Sequence, residues 1–135
     1  MAQTQDKTPF NVQASNVVAN VAASGDTALL EVQVGDIERL AIEVVLSADQ
    51  ALDTFVMQAK VHQDSAFVQI TNAITATPGG VVVLASGTFA TAIAGSTNWA
   101  LLDVRPFHTV KFLASAAVDG ADVTIRARGI GAGSL

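Results

Sequence analysis

The sequence predicts an all-β fold: a single-domain β-sandwich, jelly-roll-like, built from two pseudo-repeated four-strand units. Three observations carry that expectation. Apolar residues recur with a period of two, the period of a strand with one buried face. Turn-forming residues punctuate these runs at strand-length intervals. A stretch from the first half of the chain returns in the second half.

The elements follow in chain order. Residues 1–8 form a polar arm, which is expected to be disordered in a free monomer. The sandwich is expected over residues 9–129, and a glycine-rich tail over 130–135. Leu40, Ile42, Val44 and Leu46 share one strand face, against Arg39, Ala41, Glu43 and Val45. Next, Phe55, Met57, Ala59 and Val61 share a face, against Thr54, Val56, Gln58, Lys60 and His62. A linking hairpin is expected over Ala66 to Ala85, and Thr88 to Ala94 reads as a strand despite its alanines. The clearest alternation is the last, with Ala121, Val123, Ile125 and Ala127 inside and Asp122, Thr124, Arg126 and Arg128 outside. Ser24-Gly25-Asp26, Gly35-Asp36, Ala48-Asp49-Gln50, Pro78-Gly79-Gly80, Gly95-Ser96 and Asp119-Gly120 mark the turns. Asp119-Gly120 reads as a hairpin, because glycine and aspartate tolerate the positive φ of tight β-turns. Gly129-Ile130-Gly131-Ala132-Gly133 reads as a flexible extension, since no helix follows it to make a phosphate cradle.

The repeat is the most specific feature. Ala28-Leu29-Leu30-Glu31-Val32-Gln33 returns as Ala100-Leu101-Leu102-Asp103-Val104-Arg105. After a two-residue deletion, Ile37, Leu40 and Ile42 align with Phe107, Val110 and Phe112, and Phe55 aligns with Ile125. The repeated units span about Val17–Gln58 and about Thr88–Arg128.

Composition excludes several classes of function. The chain has 135 residues, 50% of them hydrophobic and 14% charged, so it can bury a core and is not a disordered polymer. It has no cysteine, which removes disulfides, zinc–thiolate sites and thiol nucleophiles. A formal charge of -5 argues against a nucleic-acid partner. The apolar runs, such as Val81 to Ala85, are far shorter than the roughly 20 residues of a membrane helix, and Met1 to Thr8 lacks the apolar run of a signal peptide, so export by a standard signal is not expected. No catalytic, cofactor or metal residue is assigned. His62 and His108 lack a neighbouring third ligand, the aspartates fall at turns, and neither a nucleophile elbow nor a P-loop is present.

Surface is the remaining source of function. The repeat alignment places Leu30, Val32, Val34, Leu102 and Val104 in the core. It leaves Leu29, Trp99, Leu101 and Phe67 on outer faces as candidate interface residues, with Leu113 beside Lys111. Trp99 is also the residue through which a lectin-like module would stack on a sugar ring.

Several segments resemble the capsid decoration, or cement, proteins of tailed bacteriophages. They are Ala85-Ser86-Gly87-Thr88, Ser96-Thr97-Asn98-Trp99-Ala100-Leu101-Leu102-Asp103-Val104 and Asp122-Val123-Thr124-Ile125-Arg126-Ala127-Arg128-Gly129. The resemblance implies a non-enzymatic structural protein on the capsid exterior, made in the host cytoplasm. It also implies that the chain binds the major capsid protein and itself, as a homotrimer or homodimer, and needs no cofactor. No functional residue carries over from that family. A tail, neck or head-fibre component with a receptor-binding role is the alternative, followed by a lectin-like carbohydrate-binding module.

Overall fold

The computed structural model describes residues 4–8, 11–46, 52–69, 73–74, 88–89, 97–104 and 107–131. The strands are β1 (Thr4–Thr8), β2 (Asn11–Val21), β3 (Thr27–Gln33), β4 (Arg39–Leu46), β5 (Leu52–Lys60) and β6 (Val68–Gln69). They continue with β7 (Ala73–Ile74), β8 (Thr88–Phe89), β9 (Thr97–Asp103), β10 (Thr109–Ala116) and β11 (Ala121–Ile130), with no helix among the described residues.

Two sheets form. Sheet A has the order β1-β2-β11-β4-β9, and sheet B has the order β3-β10-β5-β8-β7 with β6 also on β5. From β2 to β5, and again from β8 to β11, every strand lies in the sheet opposite its predecessor. This is the interleaving of a jelly roll. The Asp119-Gly120 turn is therefore a corner between sheets, which corrects its reading as a hairpin. Gly120 supplies the positive φ of 102° that the corner needs. Most of the expected linking hairpin lies outside the described residues, as do the turn signals at 48–50, 78–80 and 95–96. Of the part described, Val68 and Gln69 pair with β5, and Ala73 and Ile74 run parallel to β8.

The repeat maps onto this topology. Replacing β2, β3, β4 and β5 by β8, β9, β10 and β11, and the reverse, converts the sheet A order β2-β11-β4-β9 into β8-β5-β10-β3. That is sheet B read backwards. Backbone hydrogen bonds follow the same exchange. Ile37 N donates to Val34 O at 2.9 Å, and Phe107 N donates to Val104 O at 2.8 Å. Val34 N donates to His108 O at 2.8 Å, and Val104 N to Glu38 O at 3.0 Å. Glu38 N donates to Ile130 O at 3.3 Å, and His108 N to Lys60 O at 2.8 Å.

The inner faces carry the core. Leu40, Ile42, Val44 and Leu46 are buried, as are Phe55, Met57 and Ala59, and Val123, Ile125 and Ala127. Phe55 and Phe112, from adjacent strands, meet at a centroid distance of 5.9 Å. Val61 departs from the alternation and is 65% exposed, because β5 ends at Lys60 and the chain turns through Ser65 N to His62 O at 3.0 Å. The last strand also runs further than expected. Gly129 and Ile130 belong to β11, not to a tail, and Ile130 pairs with Asn11 and Arg39. Gly129 occupies a core position too tight for a side chain. A Cβ there would lie 2.7 Å from Ile37 Cγ2, 3.0 Å from Val12 Cγ1 and 3.1 Å from Arg39 O.

This packing sets two expected outcomes. Phe55→Ala and Phe112→Ala each lower unfolding stability by about 3–5 kcal/mol, and the double variant loses less than the sum, because the rings share one space. Gly129→Ala lowers it by about 1–3 kcal/mol, as an overpacked strand position should. Urea titration measures both. Unchanged stability in Gly129→Ala would place β11's last residues outside the core.

Candidate functional site: the outer sheet faces

The outer face of sheet A is built by the strand positions that alternate with the core. Register sets them in rows. Arg126 lies between Ser15 and Glu43, and Glu43 is opposite Trp99 on β9. Arg128 lies between Gln13 and Ala41, and Ala41 is opposite Leu101. Ile130 lies between Asn11 and Arg39. The side chains of Trp99 and Leu101 lie outside the described residues, so their register positions are what the structure gives. Arg126 Nη1 contacts Glu43 Oε1 at 2.6 Å on this exposed surface, and Val17 and Ile130 add exposed apolar area. Such a surface ion pair contributes little to stability, about 0–1 kcal/mol.

Leu29 is not on an outer face. It is 1% exposed and belongs to the core. The cause is a bulge. Phe112 pairs with Leu30 while the next residue, Leu113, pairs with Ala28, which leaves Leu29 unpaired. Two successive residues of β3 thus turn inward, and the strict alternation behind the expectation breaks there. The β9 counterpart has no such break, since Ala100, Leu101 and Leu102 pair in sequence with Ile42, Ala41 and Leu40. The bulge also explains Asn16, which no sequence signal singles out. Asn16 Nδ2 reaches from β2 to donate to Leu29 O at 2.7 Å, linking the two sheets. Its Oδ1 is buried without a partner among the described residues.

Sheet B presents a smaller cluster. Phe67 is half-buried on its outer face, with Lys60 Nζ 5.0 Å and Lys111 Nζ 4.6 Å from the ring centroid. Two ammonium groups over one ring are a cation–π arrangement, and Lys60 Nζ also donates to Gln63 O at 3.0 Å. Leu113 is half-buried. Val56, expected on a polar face, is buried where β5 pairs with β8.

The turn aspartates hold neighbouring corners in place. Asp119 Oδ1 accepts from Ala23 N at 2.6 Å, Asp26 Oδ1 from the Thr54 hydroxyl at 2.8 Å, and Asp122 Oδ1 from Asn20 N at 3.2 Å. Asn20 takes a positive φ of 59° where β2 bulges against β11. The two histidines lie near the adjoining ends of β5 and β10, and each is engaged locally. His62 Nδ1 accepts from Asp64 N at 3.1 Å, and His108 Nδ1 meets Thr109 Oγ1 at 2.7 Å. Among the described residues, no group of three or more histidines and carboxylates could hold a metal ion. No helix among them is long and apolar enough to cross a membrane.

No protein-family model matches the sequence, and no curated protein matches it. Several solved structures are similar in part. The SPBc2 prophage-derived protein YomS is 14% identical, with a TM-score of 0.46, over 86% of this chain and 94% of that one. A structure reported under the description "Bacillus endospore appendages form a novel family of disulfide-linked pili" is 16% identical, with a TM-score of 0.43, over 93% of each chain. A chain of the IBDV viral particle is 9% identical, with a TM-score of 0.47, over 95% of this chain and 33% of that one. At these scores and identities, the likeness carries no argument about what this chain does.

The inter-sheet bond yields a test. Asn16→Ala strands the buried Leu29 carbonyl and lowers stability by about 1–3 kcal/mol. Thermal or urea unfolding reads the loss, and no change would mean that water replaces the amide without cost.

Proposed function

We propose that the chain is a structural virion protein that docks on the outside of a phage capsid and stabilises it. The outer face of sheet A is the observation that carries this reading. It takes Arg39, Arg126 and Arg128, three of the chain's four arginines, together with the strand positions of Trp99 and Leu101. Arginine and tryptophan are the residue types that concentrate in protein interfaces, and lysine is depleted there. The lysines Lys60 and Lys111 stand on the other sheet, over Phe67. An open sheet face suits adhesion to another surface better than it suits turnover of a small substrate, which needs a concave pocket. The net charge of -5 fits a position away from the packaged genome. The resemblance of the 96–104 and 122–129 segments to phage decoration proteins supports the same reading. Association with itself, as a dimer or trimer, belongs to this proposal, with the major capsid protein as the partner.

Purified chain added to phage heads that lack it tests the reading. Wild type is expected to co-sediment with heads and to raise their resistance to heat. Arg126→Glu with Arg128→Glu weakens retention tenfold or more, equivalent to about 1.4 kcal/mol or above. Trp99→Ala also weakens retention while unfolding stability stays nearly unchanged. Failure to bind heads, with binding to tails or to glycans instead, would overturn the proposal. Retention unaffected by all three substitutions would remove sheet A as the docking face.

A further inference from the structure

We propose that β1 is exchanged between copies of this chain, so that the N-terminal strand of one copy pairs with β2 of a neighbour. The inference concerns contact between copies and does not depend on the capsid reading.

Three observations carry it. The first is the register. Thr8 pairs with Asn11, and Thr4 with Ser15, which leaves Pro9 and Phe10 alone between the paired ends. A two-residue connection between antiparallel strands favours type I′ or II′ turns, and both require positive φ at the first central position. Proline fixes φ near −65° and cannot take it. The same proline favours an extended chain, because it also drives Thr8, the residue before it, toward the β region. The sequence of the connector thus opposes a closed hairpin and suits an open hinge.

The second observation is the chemistry of the arm. Thr4-Gln5-Asp6-Lys7-Thr8 contains no apolar residue. Its register sets Gln5 and Lys7 opposite Ala14 and Val12, which are core positions. The arm therefore brings no apolar side chain to bury, and what joins it to β2 is strand pairing of the backbone. That pairing is identical whether the arm comes from the same chain or from another, the condition under which strand exchange costs little.

The third observation is the receiving edge. β11 pairs with β2 along its other side, and β1 covers only Asn11–Ser15 of its outer edge. Without the arm, that edge would present unpaired backbone groups at the margin of sheet A, which a strand from a neighbour can satisfy.

Cross-linking in this cysteine-free chain tests the exchange. A chain carrying Thr4→Cys is mixed with a chain carrying Ser15→Cys. The two are refolded together at about millimolar concentration, comparable with the effective concentration of a short tether, and then oxidised. Exchange yields a disulfide-linked dimer joining the two different chains, which mass spectrometry identifies by the peptide pair cross-linked between positions 4 and 15. The double variant Thr4→Cys/Ser15→Cys in one chain serves as the geometric control and must form the same disulfide. A control that closes only within its own chain, with no interchain link in the mixture, overturns the proposal. A control that forms no disulfide overturns it as well, because β1 would not lie on β2. Replacing Pro9-Phe10 by Asn-Gly, a sequence suited to a two-residue hairpin, is expected to abolish most of the interchain product while preserving the intrachain link. Survival of the interchain product in that variant would refute the hinge argument.

Discussion

A closed circuit of backbone hydrogen bonds at two corners ties this sandwich together. The β3–β4 corner carries the chain from sheet B to sheet A, where Glu38 O receives Val104 N. The β9–β10 corner carries it back to sheet B, where His108 O receives Val34 N. The circuit is closed, with each corner fastened to the other in both sheets. Val34 and Val104 are fully buried, so their amides have no water to fall back on and must be paired this way. The β2–β3 and β10–β11 corners add further ties, from Ala116 N to Ala22 O at 2.9 Å and from Gly120 N to Val21 O at 3.0 Å. The rest of the core, with Leu40 and Val110 next to these corners and Phe55 against Phe112, packs on that frame.

The circuit also gives physical content to the sequence repeat. Downstream of the deletion the sequence alignment holds, since Glu38 with His108 and Lys60 with Ile130 occupy exchanged places in equivalent bonds, but the residue that stands where Val104 does is Val34 and not its aligned partner Val32. The two units are thus halves of one core, each contributing strands to both sheets, and neither could bury its inner faces alone. The outer faces are free of that constraint, and the two have diverged. Sheet A displays arginines and sheet B displays lysines around Phe67. That divergence is why sheet A is the face to which docking is assigned.

Much of this was legible in the sequence because alternation and the repeat report the same thing, which side of a strand meets the core. Ala121, Val123, Ile125 and Ala127 alternate without interruption, and all four are buried. The failures occur where the backbone departs from a regular ladder. The repeat aligns Leu29 with Leu101, but the pairing sets Leu101 opposite Ala41 in the place that Glu31 takes opposite Lys111, and a bulge in β3 turns Leu29 inward. Asp119-Gly120 has the composition of a hairpin, and composition does not say whether the next strand returns to the same sheet. Gly129 looked like a flexible tail because its glycine pattern is the same whether the missing side chain gives freedom or makes room for Ile37 and Val12. Of the four candidate interface residues, Phe67 is half-buried under two lysines and Leu29 is core, while Trp99 and Leu101 are known by register.

The proposed docking of the outer face has a consequence for location and number. On the proposed role the chain belongs to phage particles, and the decisive measurement is to separate such particles into heads and tails and to quantify the chain in each by mass spectrometry. A docking protein of the capsid exterior is expected in many copies on heads, in fixed proportion to the major shell protein. A handful of copies confined to tails or necks, or absence from particles altogether, would contradict that role.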